Sequence, residues 1–151
     1  YEEVAYEITT LENTNQHLGM GMIGELDTEI EETEFLKKVK ETFSSGIIKH
    51  SQMLNKPIKK VAVLGGSGAF AIEAAKAAGA HAFITSDVKY HQFFSVEGRL
   101  LLLDVGHYES EQFTKNLLVE HLTKKIANFA PAFPAGKVIL SNCNTNPVKY
   151  F

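Results

Sequence analysis

The residues best suited to chemistry in this sequence are His107 and Glu111, which lie four positions apart in the segment 106–111. The segment follows an apolar run and precedes a helical pattern, so we predict that it forms the first turn of a helix. Residues four apart share one helix face. An imidazole and a carboxylate on one face can bind the same divalent metal ion, which makes His107 and Glu111 candidate metal ligands. The alternative is a simple helix N-terminus, where Glu111 is favoured by the dipole and His107 hydrogen-bonds locally.

A second polar cluster, Thr85–His91, also follows an apolar run that we predict to be a strand. Asp87 and His91 lie four positions apart and could bind a metal ion together. His91 could instead act as a general acid or base, because the unperturbed pKa of histidine is near neutral. The alternative is that Ser86 or Asp87 only caps the following helix and that His91 is a surface histidine.

A third cluster is rich in glycine. Gly66, Gly68 and Ala71 match the pattern G-x-G-x-x-A between a predicted strand and a predicted helix, and Asp87 comes 21 residues after Gly66. This is the form of the dinucleotide-binding fingerprint, in which glycines let the backbone approach an anion at a helix N-terminus. The alternative is a tight strand-to-helix turn that requires small residues. A nucleotide site would leave the 106–111 cluster without a role.

The elements that must position these clusters alternate between strands and helices. Such alternation predicts an α/β fold with three layers, α/β/α, around a mostly parallel mixed sheet. Ligands collect at the carboxyl ends of the strands in such sheets, and all three clusters follow predicted strands. We therefore expect them to meet at one edge. The predicted strands are 4–8, 20–26, 47–48, 61–64, 82–85, 100–103 and 138–140, and the predicted helices begin near 33 and cover 70–78, a short stretch around 90–94, and 108–129.

The composition excludes several classes of protein. The 151 residues are 44% hydrophobic and 22% charged, which is typical of one ordinary globular domain. The net charge of −3 lacks the basic footprint expected of a nucleic-acid-binding protein. No apolar run approaches the roughly 18 residues that a membrane span requires. The single cysteine, Cys143, has no partner for an internal disulfide, so we expect a reducing compartment, the cytoplasm.

Taken in order, the three clusters resemble the Nif-three-like family, whose members are often labelled GTP cyclohydrolase type-two homologues. The resemblance consists of a strand followed by GGSG, a strand followed by T-S-D-x-K-Y-H, and a strand followed by D-x-G-H-Y-x-S-E. These stretches are Val61–Gly68, Ile84–His91 and Leu103–Glu111, and the segments 11–14, 22–26 and 146–151 also resemble parts of the family.

The resemblance implies a two-lobed protein in which a pair of metal ions lies between two similar α/β halves. This chain would be the second half, with His107 and Glu111 as metal ligands and His91 as the catalytic residue near the metals. The first half of the family carries a paired-histidine motif and a Pro-Leu-Asp segment. Neither occurs here, which fits a chain that begins in mid-protein. Residues 1–14 would end an inserted domain like the PII signalling proteins, and residues 15–151 would form the C-terminal half.

The activity implied by the resemblance is metal-dependent hydrolysis, because paired metal ions activate water and stabilise an oxyanion. The cofactors would be two divalent ions per full-length chain, and these ligand types do not distinguish zinc, manganese, iron, cobalt and nickel. The substrate would be nucleotide-like, with the Gly66–Gly68 segment offering backbone N–H groups to an anion. The intact protein is expected to form a hexameric ring. The alternatives are a non-catalytic metal-binding scaffold or regulatory protein, and a dinucleotide-binding domain.

Overall fold

The computed structural model describes Thr9, residues 18–129 and residues 138–151. The predicted strand at residues 4–8 and the predicted boundary at residue 14 lie outside these residues. The strands are β1 (Met22–Ile30), β2 (Lys49–His50), β3 (Ile58–Ser67), β4 (Ala82–Ser86) and β5 (Leu101–Asp104). The helices are α1 (Glu32–Thr42), α2 (Ile72–Ala77), α3 (His107–Glu111) and α4 (Thr114–Phe129), and short 3-10 helices cover Ala69–Ala71 and Tyr90–Val96.

The strands form one five-stranded sheet in the order β1-β3-β4-β5-β2. The three central strands run parallel to one another. Both edge strands are antiparallel to their neighbours, β1 to β3 and β2 to β5. The predicted α/β fold with a mixed sheet is therefore confirmed, and parallel pairing is confined to the centre of that sheet.

Apolar clusters cover both faces of the sheet. On one face Phe35 and Val39 of α1 pack over alternate residues of the central strands, among them Leu103. On the other face Ile72 of α2 packs with Leu102. Leu101, Leu102 and Leu103 are completely buried. A strand with a continuous apolar run is expected at the centre of a parallel sheet, where both faces are covered.

β3 continues through the glycine cluster, where a loop was predicted. The strand extends to Ser67, which pairs with Ser86 of β4 after an irregularity in register that begins at Val63. Gly66 has a positive φ of 67°. The hydroxyl of Ser86 donates to the Gly66 carbonyl at 2.6 Å. The prediction of a loop was wrong because a bulged strand tolerates the same small residues as a tight turn.

The predicted helix over 108–129 is two helices, α3 and α4. The side chain of Gln112 lies at the junction and donates to the carbonyl of Phe43, at the end of α1, at 2.8 Å. This contact joins residues far apart in the sequence, so the apolar periodicity gave no sign of it.

Two other predicted strands also differ from the observed structure. The strand predicted at 47–48 forms two residues later, at 49–50. Val138–Leu140 is not a strand, and β1 and β2 occupy the two edges of the sheet. Within the part of the chain that the structure describes, no helix is both long and apolar enough to cross a membrane.

Candidate metal centre

The carboxyl ends of β3, β4 and β5 bring the three polar clusters together, as predicted. His107 follows β5, and its Nδ1 lies 2.6 Å from Oδ2 of Asp87, the residue that follows β4. Its Nε2 lies 3.2 Å from Oε2 of Glu111, one helical turn further along α3. Gly66, near the end of β3, lies beside this pair. The prediction that His107 and Glu111 share a helix face is therefore confirmed.

The position of α3 depends on Gly106 and Ser110. Gly106 has a φ of 93°, and a Cβ at this residue would overlap the carboxylate of Glu109. A glycine is therefore needed to turn the chain from β5 into the helix. The hydroxyl of Ser110 accepts a hydrogen bond from the N–H of Gly66 at 2.9 Å and donates to the His107 carbonyl at 2.8 Å. These bonds tie the first turn of α3 to the end of β3.

Gly66 provides the space that the Glu111 carboxylate occupies. A Cβ at Gly66 would overlap Glu111 Oε1 and would lie 3.6 Å from Cε1 of His107. The glycine is therefore explained by close packing against the two candidate ligands.

Backbone N–H groups of the Gly66–Gly68 segment were predicted to bind an anion, and those of Gly66 and Gly68 are already engaged within the protein. The N–H of Gly66 is donated to Ser110, and that of Gly68 is donated to the Thr85 hydroxyl at 3.0 Å. The prediction of an anion-binding role was wrong for these two groups. Both glycines also pack closely against other residues, which favours the alternative of a segment that requires small residues for packing.

The electrostatics of the site favour the cationic form of His107. The hydrogen bond that the His107 ring N–H donates to Asp87 raises the pKa of His107 above its usual value, the charges of Asp87 and Glu111 raise it further, and burial opposes them. All three side chains are about half exposed. A metal ion on His107 would therefore displace a proton that the two carboxylates help to hold.

Asp87 is the site residue whose partner the sequence did not reveal. Its sequence position suits a helix cap, a metal ligand beside His91, or the acidic residue of a nucleotide fingerprint. The structure pairs it with His107. The available signal was the expected meeting of the strand ends, which brings the residue after β4 close to the residue after β5.

His91 lies in the 3-10 helix Tyr90–Val96, where its side chain is exposed. Its ring packs edge-on against Tyr90, with the ring centroids 5.3 Å apart. Among the described residues, those that line the cavity beside His107 do not include His91. Its catalytic role stays a prediction.

A cavity of about 770 Å³ opens beside the candidate ligands. Asp87, His107 and Glu111 line one part of it, and the segment 143–150 lines another. Its volume falls in the range of cavities that hold small molecules. The pairing of the site with the C-terminal segment was not visible in the sequence, because it joins residues such as Glu109 and Asn146, which are 37 positions apart.

The C-terminal segment is fixed against α3. Glu109 is only 6% exposed, and its Oε1 accepts a hydrogen bond from the Asn146 side chain at 3.1 Å. The Tyr150 ring lies so close to Gly46 that a Cβ there would be 3.1 Å from Cδ2 of the tyrosine. Burial raises the pKa of Tyr150, and the charges of Glu109 and Asp104 add to the increase. The tyrosine therefore stays neutral beside the two carboxylates.

The donor set fits part of a metal site. His107 Nε2 lies 3.2 Å from Glu111 Oε2, and the missing side chain of Gly66 leaves room for the Glu111 carboxylate. A nitrogen and a carboxylate oxygen are suitable donors for zinc and neighbouring divalent ions. Within the described ranges 18–129 and 138–151, no group of three or more histidine, cysteine, aspartate or glutamate side chains is arranged to hold a metal ion. Within these ranges His107 and Glu111 therefore provide two candidate donors and no complete coordination sphere.

Comparison with known proteins shows the family to which this chain is similar. A family model described as Duf34/NIF3 (NGG1p interacting factor 3) matches residues 3–147. The GTP cyclohydrolase 1 type 2 homolog of Staphylococcus epidermidis is 32% identical over 151 residues, covering 99% of this chain and 40% of the relative. The homolog of Listeria innocua is 33% identical, covering 99% and 39%. The chain thus spans about 40% of the length of these curated relatives.

Solved structures show the same fold. A Bacillus cereus protein related to NIF3 superposes with a TM-score of 0.81 at 30% identity, covering 99% of this chain and 41% of that protein. A Staphylococcus aureus protein superposes with a TM-score of 0.68 at 25% identity, covering 88% and 42%. The described fold therefore corresponds to one part of a larger protein in each case.

Proposed function

Because this chain belongs to the Duf34/NIF3 family, we propose that it supplies His107 and Glu111 as ligands of a dinuclear divalent-metal site. The observation that carries the proposal is the approach of His107 Nε2 to Glu111 Oε2 at 3.2 Å, beside a glycine that leaves room for both. Two donors at this separation can bind one ion without rearrangement of the backbone. The remaining ligands would come from a first half outside this chain, which spans about 40% of its relatives.

The proposed reaction is metal-dependent hydrolysis. Paired divalent ions, when bound, supply an activated water and stabilise developing negative charge. His107 and Glu111 would hold the ions at the carboxyl edge of the sheet, and the cavity beside them would hold the substrate. We propose His91 as the catalytic residue from the family resemblance, since its side chain does not line this cavity.

The name of the Staphylococcus epidermidis relative, GTP cyclohydrolase 1 type 2 homolog, supports a nucleotide-like substrate for the intact protein. We further propose that the intact protein forms a homohexamer and acts in the cytoplasm. The lone Cys143 is exposed and suits a reducing compartment.

Metal content tests the ligand assignment directly. Elemental analysis would compare the intact wild-type protein with the double variant His107→Ala/Glu111→Ala. The expected result is about two transition-metal ions per wild-type chain and loss of metal in the double variant. His121→Ala is the matched control, because His121 is exposed on α4 and should leave the metal content unchanged. Equal metal in wild type and double variant would disprove the assignment.

Turnover separates an enzyme from a metal-binding scaffold. Metal-loaded intact protein would be tested against nucleotide phosphoesters and cyclic-amide bases, and any activity should disappear in His107→Ala. Bound metal without turnover on these substrates would favour the scaffold. Activity that survives His107→Ala would contradict the proposed mechanism.

A further inference from the structure

The two ring nitrogens of His107 have different partners. Nε2 faces Glu111, and Nδ1 faces the carboxylate of Asp87 at 2.6 Å. The lone-pair directions of the two nitrogens diverge in an imidazole ring. One nitrogen is therefore available to a metal ion shared with Glu111, and the other is held by a carboxylate. An acceptor at Nδ1 keeps a proton on that nitrogen and leaves the Nε2 lone pair free for a metal ion.

Asp87 is itself held in place by the sheet. Its φ is 55°, a left-handed conformation that aspartate and asparagine adopt more readily than most residues. The hydroxyl of the preceding residue, Ser86, donates to the carbonyl of Gly66 at 2.6 Å. The N–H of the following residue, Val88, donates to Asp104 Oδ2 at 3.1 Å. The residue is thus anchored to β3 through its predecessor and to β5 through its successor.

We propose that Asp87 is a positioning residue that orients His107 and selects the tautomer that binds metal, an inference that rests on the proposed metal site. Asp87 would not bind the ion. Its Oδ2 lies at the Nδ1 edge of the ring, whereas the Glu111 carboxylate lies at the Nε2 edge. A carboxylate behind a metal-bound histidine restricts rotation of the ring and increases its basicity. Both effects would strengthen the site without adding a ligand.

Two substitutions of Asp87 separate its roles, and both suit a residue with positive φ. Asp87→Gly removes the carboxylate and keeps the backbone conformation. Asp87→Asn keeps an oxygen that accepts the Nδ1 proton but loses the charge. Asn55→Gly is the matched control, because Asn55 has a φ of 54° and lies outside the cavity lining. Alanine is avoided because it is strained at positive φ.

The experiment is competition for zinc between the intact protein and a chromogenic chelator, which gives a dissociation constant without enzyme activity. Asp87→Gly is expected to weaken binding about 10–100-fold, the range found for partners behind a metal ligand. Asp87→Asn should lose less, and Asn55→Gly should match the wild type. The Co²⁺-loaded variants should keep the absorption bands of the wild type, because the ligands themselves are unchanged.

Three outcomes would overturn the inference, and each would refute a different part of it. Zinc binding by Asp87→Gly within about threefold of wild type would make the Asp87–His107 contact a surface ion pair. Shifted Co²⁺ bands, with a loss as large as in Glu111→Ala, would make Asp87 a ligand. Absence of metal from the wild-type protein would refute the proposed function itself, whereas the first two outcomes refute only the role of Asp87.

Discussion

The two helices that follow β5 differ in what holds them. α3 has five residues, too few to be stable alone, and is fixed by Ser110 against Gly66 and by the buried Glu109. α4 has 16 residues and, among the described residues, none of its side chains is buried. The short helix therefore takes its position from tertiary contacts with the sheet, and the candidate site lies on that helix.

The long helix depends on local contacts instead. Lys124 pairs with Glu120 one turn earlier, and the Thr123 hydroxyl donates to the carbonyl of Val119 at 2.7 Å. Leu117 and Leu118 are 65% and 54% exposed. The described residues leave this apolar side of α4 uncovered. We therefore expect substitutions in the sheet to cause a large loss of stability, substitutions beside α3 to weaken zinc binding to an intermediate degree, and substitutions on α4 to change stability little.

The largest loss of stability is expected from a substitution in the sheet. Leu102→Ala removes a completely buried side chain from β5, the strand that leads into α3. We expect the free energy of unfolding to fall by about 2–5 kcal/mol, as for other large-to-small changes in a core. Urea denaturation followed by circular dichroism measures this. A loss under about 1 kcal/mol would show that the sheet repacks around the gap.

An intermediate effect is expected beside α3. Gly66→Ala places a Cβ where Glu111 Oε1 lies and forces a side chain into a positive φ, so the candidate ligand must move. We expect zinc affinity of the intact protein to fall at least about tenfold, as for a displaced neighbour of a ligand. Chelator competition measures the change.

Gly65→Ala is the control for this variant. A Cβ at Gly65 would lie 3.4 Å from the Ser110 carbonyl, which is an ordinary contact, and its affinity should stay near the wild-type value. Equal losses in the two variants would show that the effect comes from the strand and not from Glu111.

The smallest effect is expected on α4. Leu118→Ser changes a side chain that is already largely exposed, so the free energy of unfolding of this chain should change by about 0.5 kcal/mol or less. Denaturant unfolding of this chain beside Leu102→Ala provides the direct contrast. A loss approaching that of Leu102→Ala would show that the apolar side of α4 is covered, and the comparison between the two helices would fail.

Much of the site followed from local pattern. His107 and Glu111 were placed on one face of a first helical turn, and their side chains do face each other there. The expectation that the three clusters meet also holds, because parallel strands end at the same edge. The prediction of a loop at the glycine cluster was wrong, since a strand bulge and a tight turn need the same small residues.

The sequence by itself determined the three central apolar strands and the spacing of His107 and Glu111, because both depend on residues adjacent along the chain. Its family motifs also determined the Duf34/NIF3 membership. Only the tertiary structure decided that Asp87 faces His107, that Gly66 makes room for Glu111 and that Asn146 lies against Glu109. These contacts join residues 20 to 45 positions apart. Such contacts form only when the sheet aligns its strand ends, and no local periodicity encodes that alignment.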